Sequence, residues 1–105
     1  MKILRFIVNG QMIKKDPDSQ FSKMAAGSSN YYTAEFDMDE AWKGYSCLAH
    51  FEADGSEKYV PIINGRAVFP EDILQYKNFF VSVIGKKGNS QLITNKNKVI
   101  QIGGK

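Results

Sequence analysis

The chain is poor in the residues that most often carry chemistry. Its 105 residues include one cysteine, one histidine and one tryptophan. A lone Cys47 has no partner for an internal disulfide, which suits folding in a reducing compartment. One Cys and one His are too few for a zinc set without several carboxylates, and no H-x-x-x-H or C-x-x-C spacing occurs. Long apolar runs are missing too: Phe6-Ile7-Val8 and Val60 to Ile63 fall far short of the ~20 residues of a membrane span. Met1 leads straight into "KILRFIV" and a turn, without the apolar h-region of a secretory signal. No membrane partner is expected. Acidic residues are absent from one end: residues 74–105 carry six lysines and no carboxylate, a balance of +6. Residues 1–73 carry eight Lys/Arg against eleven Asp/Glu, a balance of −3. A one-signed end attracts an anionic partner, or places lysines on strand edges where they deter aggregation.

What is present is a β pattern. Hydrophobic residues make up 43% of the chain and aromatics 12%, enough for one core and a single domain spanning 1–105. Turn signals recur at short, even spacing: Asn9-Gly10, Asp16-Pro17-Asp18, Asp54-Gly55, Asn64-Gly65, Lys87-Gly88-Asn89 and Asn95-Lys96-Asn97. Between them lie runs rich in β-branched and aromatic residues, which predict strands near 2–8, 11–14, 31–38, 46–53, 57–63, 66–69, 78–85, 90–94 and 98–102. Tyr32, Ala34, Phe36 and Met38 alternate with Thr33, Glu35 and Asp37. In Phe79 to Ile84 both faces are largely apolar, which predicts a central strand that is mostly buried. "PEDILQYK" breaks the pattern, with Pro70 at a first helical position and acids in the first turn, and predicts one helical turn near 70–76. Residues 14–30, "KKDPDSQFSKMAAGSSN", read as a long loop. The fold class is all-β, a small antiparallel β-sandwich of Ig-like or jelly-roll-like type, with a partly open β-barrel as the alternative.

The stretch "FDMDEAWKGYSCLAHFEADG", residues 36–55, gathers the single Trp, His and Cys. Cys47 and His50 are three apart, so on a strand they face opposite ways and cannot pair. Cys47 shares its face with Ala49 and Phe51, the profile of a buried, inert thiol. A Ser-His-Asp arrangement through His50 would have to assemble in space, and no serine sits in a G-x-S-x-G setting. Asp37, Asp39 and Glu40 lack the glycine and distal glutamate of an EF-hand loop and read as solvated or capping groups. Paired carboxylates for glycoside hydrolysis need a deep cleft for which so small a domain has little room. "GKKGN" lacks the spacing of a phosphate loop. No catalytic residue, cofactor-binding residue or metal ligand is nominated, and neither an enzyme nor a cofactor is expected. Trp42 is expected in a short turn capped by Asp39 and ended by Gly44, plugging the end of the sandwich. The competing placement sets Trp42 on the surface with Tyr31, Tyr32 and Tyr45 as a stacking platform.

Three segments, "ILRFIVNGQ", "NYYTAEFDMDEAWKGYSCLAHFE" and "VFPEDILQYKNFFVSVIGKKGNSQLITNKNKVIQI", carry a further signal. Together they resemble a small N-terminal β-sandwich domain of baseplate and tail-fibre (receptor-binding apparatus) structural proteins of phages infecting Gram-positive bacteria. The residues concerned are Phe6, Val8, Gly10 and Gln11; Phe36, Glu40 and Trp42; Pro70; Val81, Val83 and Gly85; and Ile93, Thr94 and Asn95. In the resembled proteins this module heads a longer chain. Here the sequence stops at "IGGK", so the expectation is either a free-standing particle protein or a domain of a longer one. The resemblance implies a non-enzymatic assembly or attachment module of a phage or prophage virion, in baseplate, tail fibre or head decoration. Its partners would be other virion proteins or copies of itself as a homo-oligomer, and its location the virion, otherwise the cytoplasm. The alternative is a ligand-binding module, for cell-wall carbohydrate or of OB-like type, using Tyr31, Tyr32, Tyr45, Tyr59, Trp42, Phe79 and Phe80. Nucleic acid is disfavoured because the aromatics of 31–59 lie among carboxylates.

Overall fold

The computed structural model of the protein describes residues 2–105. Its strands are β1 (Lys2–Asn9), β2 (Met12–Lys15), β3 (Tyr32–Met38), β4 (Ser46–Ala53), β5 (Ser56–Pro61), β6 (Arg66–Val68), β7 (Asn78–Lys87), β8 (Ser90–Ile93) and β9 (Asn97–Ile100). A single α-helical turn, α1 (Glu71–Leu74), follows Pro70 and buries Ile73 and Leu74. The first sheet has the order β2-β1-β3-β6, and the second the order β5-β4-β7-β8, with β9 also paired to β7. Two sheets with inward-facing apolar residues make this an all-β sandwich, not a barrel.

Period-2 alternation decides the faces. Leu4, Phe6 and Val8 of β1 and Ala34 and Phe36 of β3 point inward against Ala49, Phe51, Val81 and Val83 of the second sheet. Aromatic pairs line the core: Phe6 lies 5.4 Å from Phe36 within the first sheet, while Phe69, just after β6, lies 5.5 Å from Phe51 and 6.1 Å from Phe79 of the second. At Asn64-Gly65 both residues have positive φ, 53° and 76°, as a tight turn of this hand requires. The turn is closed by Ile63 and Arg66 and carries the chain from the second sheet to the first.

Two features depart from the expected antiparallel plan. First, β1 and β3 pair in parallel, from Lys2 opposite Tyr32 to Val8 opposite Met38. A parallel pair needs a crossover of a dozen or more residues, and the segment after β2 supplies it. Second, that segment, expected as a long loop over 14–30, is packed onto the core. Its first residues complete β2, a 3-10 turn at Phe21–Lys23 buries Phe21, Met24 is fully buried, and Ala25 bridges to Ile102. Phe6 and Phe21 meet at 5.0 Å.

Candidate functional site

Strand β7 is central as expected, flanked by β4 on one side and by β8 and β9 on the other. Its inner side chains Phe79, Val81 and Val83 are fully buried. Its outer side is unevenly covered: Ser82 is 3% exposed, Ile84 half-buried and Phe80 37% exposed. The strand is central and mostly buried, as its composition predicts, and its outer face opens to solvent at Phe80. The described chain provides a layer for one face of the second sheet only.

Register turns that outer face into rows. Pro61 lies opposite Leu48, Leu48 opposite Ile84, and Ile84 opposite Ile93, an unbroken apolar row across β5, β4, β7 and β8. Leu48 is 38% and Ile93 41% exposed. The next row along is Tyr59, His50 and Ser82, and the one beyond it Glu57, Glu52, Phe80 and Lys98. On the other side of the apolar row stand Ser46, Lys86 and Gln91. The apolar row runs into a groove of about 800 Å3 at the end of the sandwich, lined by Met38, Tyr45, Cys47, Ile62 and Ile63.

His50 is buried on this face beside Ser82. Its Nδ1 lies 3.2 Å from Ser82 Oγ and its Nε2 2.8 Å from Glu57 Oε1, while its ring packs 4.6 Å from that of Tyr59. Serine, histidine and carboxylate are the residue types of a hydrolytic triad, yet the order of exposure is inverted. Ser82 is 3% exposed, and the carboxylate is the end that faces water. Buried in this way, Ser82 Oγ is not presented to a substrate, and the chain of contacts gives both ring nitrogens of a buried histidine their partners. No local motif announces it, because its members come from three strands.

Cys47 faces away from His50, as its spacing predicts, and is a free thiol. It is half-buried in the groove and not sealed in the core, because it sits beside the sandwich end with Tyr45 and Met38. Burial pushes its pKa up, which disfavours the reactive thiolate. Among the described residues no group of three His, Cys, Asp or Glu side chains gathers to hold a metal.

Trp42 closes the sandwich end. It ends the 3-10 turn Glu40–Trp42, whose cap Asp39 accepts a bond from the Ala41 N–H, and it is 4% exposed. Its indole N–H donates to the Gly10 carbonyl at 2.8 Å, and the Gly10 N–H donates to Asp39 Oδ2 at 3.1 Å. A Cβ at Gly85 would lie 2.9 Å from the Trp42 ring, so glycine there makes room for the indole. Gln11 donates to the Ile93 carbonyl, Asn95 N–H donates to the Gln11 carbonyl, and Asn95 Oδ1 accepts from Ile13 N–H. Thr94 Oγ1 accepts from the buried Val83 N–H at 2.9 Å. Gly10, Gln11, Trp42, Gly85, Ile93, Thr94 and Asn95 thus form one corner that ties the two sheets together.

The aromatics do not assemble into one platform. Tyr31 and Tyr32 meet edge to face at 4.9 Å beside the start of β3, whereas Trp42 lies beyond its end. Phe79 is in the core, Tyr45 is 6.0 Å from Trp42, and Tyr59 belongs to the outer face of the second sheet.

Nor does the charge split along the chain become two surfaces. Register sets Glu52 and Glu57 in the same row as Lys98, and Lys96 reaches Glu52 at 2.6 Å. On the outside of the first sheet Glu35 accepts from Arg5 at 2.7 Å and from Arg66 at 3.1 Å, and Arg5 also meets Asp16. The Arg5 and Arg66 hydrogen bonds hold the Glu35 carboxyl below its ordinary range, and the Lys96 bond does the same for Glu52. No protein-family model matches the chain, and no curated protein matches it.

Proposed function

We propose that the protein is a non-enzymatic assembly or attachment module of a phage or prophage particle, in a baseplate, tail fibre or head decoration. The observation that carries this reading is the open apolar row Pro61–Leu48–Ile84–Ile93 on a sheet whose central strand has the composition of one covered on both sides. Exposed contiguous apolar surface on a small domain marks a place where another macromolecule sits. The context comes from the resemblance, and the residues that carry it support a scaffold role. Most of them build the Trp42–Gly85–Asn95 corner or the core, and none is arranged around a reacting atom.

The test is composition. Particles purified from a lysate or induced culture carrying the sequence are expected to contain the chain in a fixed ratio to a major capsid or tail subunit by quantitative mass spectrometry. Its absence from washed particles would sink the proposal. A second reading, a carbohydrate-binding module, is favoured by Tyr31, 47% exposed beside a groove of about 380 Å3 edged by Asp18, Gln20 and Lys23. Retention on purified cell-wall polysaccharide that is lost in Tyr31→Ala would support that reading.

A further inference from the structure

We infer that the outer face of the second sheet is a self-complementary surface that binds a second copy of this chain. This rests on the reading of the protein as an assembly module and names the partner of that same face. The first argument is coverage. Strand β7 presents Ile84 outward between Leu48 and Ile93, and Phe80 outward between Glu52 and Lys98, and Leu48, Phe80 and Ile93 are each more than a third exposed. A second identical sheet is a layer that suits such a face, since sheets stack face to face about 10 Å apart.

The second argument is charge. A face of one sign calls for an oppositely charged partner, but this one is mixed. Lys86 stands at one end, while Glu52, Glu57 and Lys98 stand at the other, and Lys96 neutralises Glu52. The order along β4 is the Lys86 row at Ser46, the apolar row at Leu48, the Tyr59 row at His50 and the carboxylate row at Glu52. A two-fold axis passing between the Leu48 and His50 rows lays the Lys86 end of one copy over the Phe80–Glu52–Glu57 end of the other. It also sets the apolar row of each copy on the Tyr59–His50 row of its mate. An isologous contact needs this kind of self-complementarity.

The third argument is size. Four strands ~4.8 Å apart and seven residues at ~3.3 Å each give a flat footprint of roughly 400 Å2 per copy. With the relief of the side chains and the groove residues, the pair approaches the ~1,000 Å2 at which specific interfaces begin. The association is therefore weak in free solution, with a dissociation constant on the order of micromolar or above, and is strengthened where copies are held side by side.

Sedimentation equilibrium of the whole chain, from about 10 μM to about 1 mM, tests it. The wild type is expected to move toward twice the mass of one chain. Leu48→Glu and Ile93→Glu, on the apolar row, are each expected to raise the dissociation constant more than about tenfold. Lys86→Glu is expected to weaken it several-fold by facing carboxylates. Val68→Glu, at an apolar and more exposed position but on the first sheet, serves as control and is expected to leave it unchanged. Trp42 emission reports whether each variant is folded. A wild type that stays monomeric to about 1 mM, leaving the face to a different partner, overturns the inference, and so does a Val68→Glu effect as large as that of Ile93→Glu. Failure of the particle reading looks different: the chain is then missing from purified particles whether or not it dimerises.

Discussion

Glu35 shows what single side chains contribute here. It accepts from two guanidinium groups across three strands, and those bonds hold its pKa low. A carboxylate whose folded pKa lies below its unfolded one binds fewer protons in the native state. Its contribution is therefore present above the ordinary carboxylate range and is lost as pH falls through the folded value. The same holds for Glu52 beside Lys96. Melting temperature measured from about pH 7 down to about pH 3 is expected to fall, and Glu35→Gln and Glu52→Gln are expected to flatten that acid limb. Both pairs are largely solvated, so the effect is modest and shrinks in high salt. An acid limb unchanged in Glu35→Gln would show that the guanidinium bonds do not persist in solution. Cys47 adds a second check at this scale. Burial raises its pKa, so an aromatic disulfide reagent at neutral pH is expected to label the native thiol at least about tenfold more slowly than the unfolded one.

At the scale of elements, the corner built on Trp42 joins the β1–β2 hairpin, the turn before β4, and strands β7 and β8. Trp42→Ala removes a buried indole and its bond to Gly10, with an expected cost of about 3–5 kcal/mol in denaturant unfolding. Gly85→Ala places a methyl 2.9 Å from the same ring and is expected to cost about 1–3 kcal/mol by overpacking. Because both changes act on one contact, Trp42→Leu combined with Gly85→Ala is expected to be less costly than the sum, by about 0.5 kcal/mol or more. Strict additivity would mean that the indole does not determine the glycine. Spacing in the sequence was sufficient to place Trp42 at the end of a short turn capped by Asp39. It did not reveal Gly85 as the reason the ring fits, since the two residues are far apart in the chain and meet only through packing. The segment after β2 teaches the same lesson. Its polar, proline-containing composition reads as a loop, while Phe21 and Met24 within it complete the core beneath a parallel strand pair.

For the whole molecule, the dominant fact is that four of the seven strand pairings among the described residues, β1–β3, β3–β6, β4–β7 and β7–β9, join distant parts of the chain. The β1–β3 pair closes only after the crossover is in place, and β4 must find β7 across β5, β6 and α1. Non-local pairing of this kind is slow because loop closure precedes its reward. Stopped-flow refolding followed by Trp42 emission is expected to take milliseconds to seconds, as for other small sandwiches. A microsecond relaxation would contradict the topology. The open outer face of the second sheet has its consequence at this scale as well, since a surface that invites a second copy also invites misassociation while the sheet is forming.

By itself the sequence determined the elements: alternation fixes which residues a strand turns inward, and Asn-Gly, Asp-Gly and Pro-led turns fix where it stops. Those signals are local, set by backbone sterics and a period of two residues, so nine strands and one helical turn were legible. Only the tertiary structure decided how the strands are ordered, that β1 runs parallel to β3, and that His50 finds Ser82 and Glu57. It also decided that the basic end of the chain shares a face with acidic strands, and that the outer side of β7 is left open at Phe80 while Ser82 is buried. Register and layer order depend on contacts between residues tens of positions apart, and no local preference encodes which strand will lie beside which.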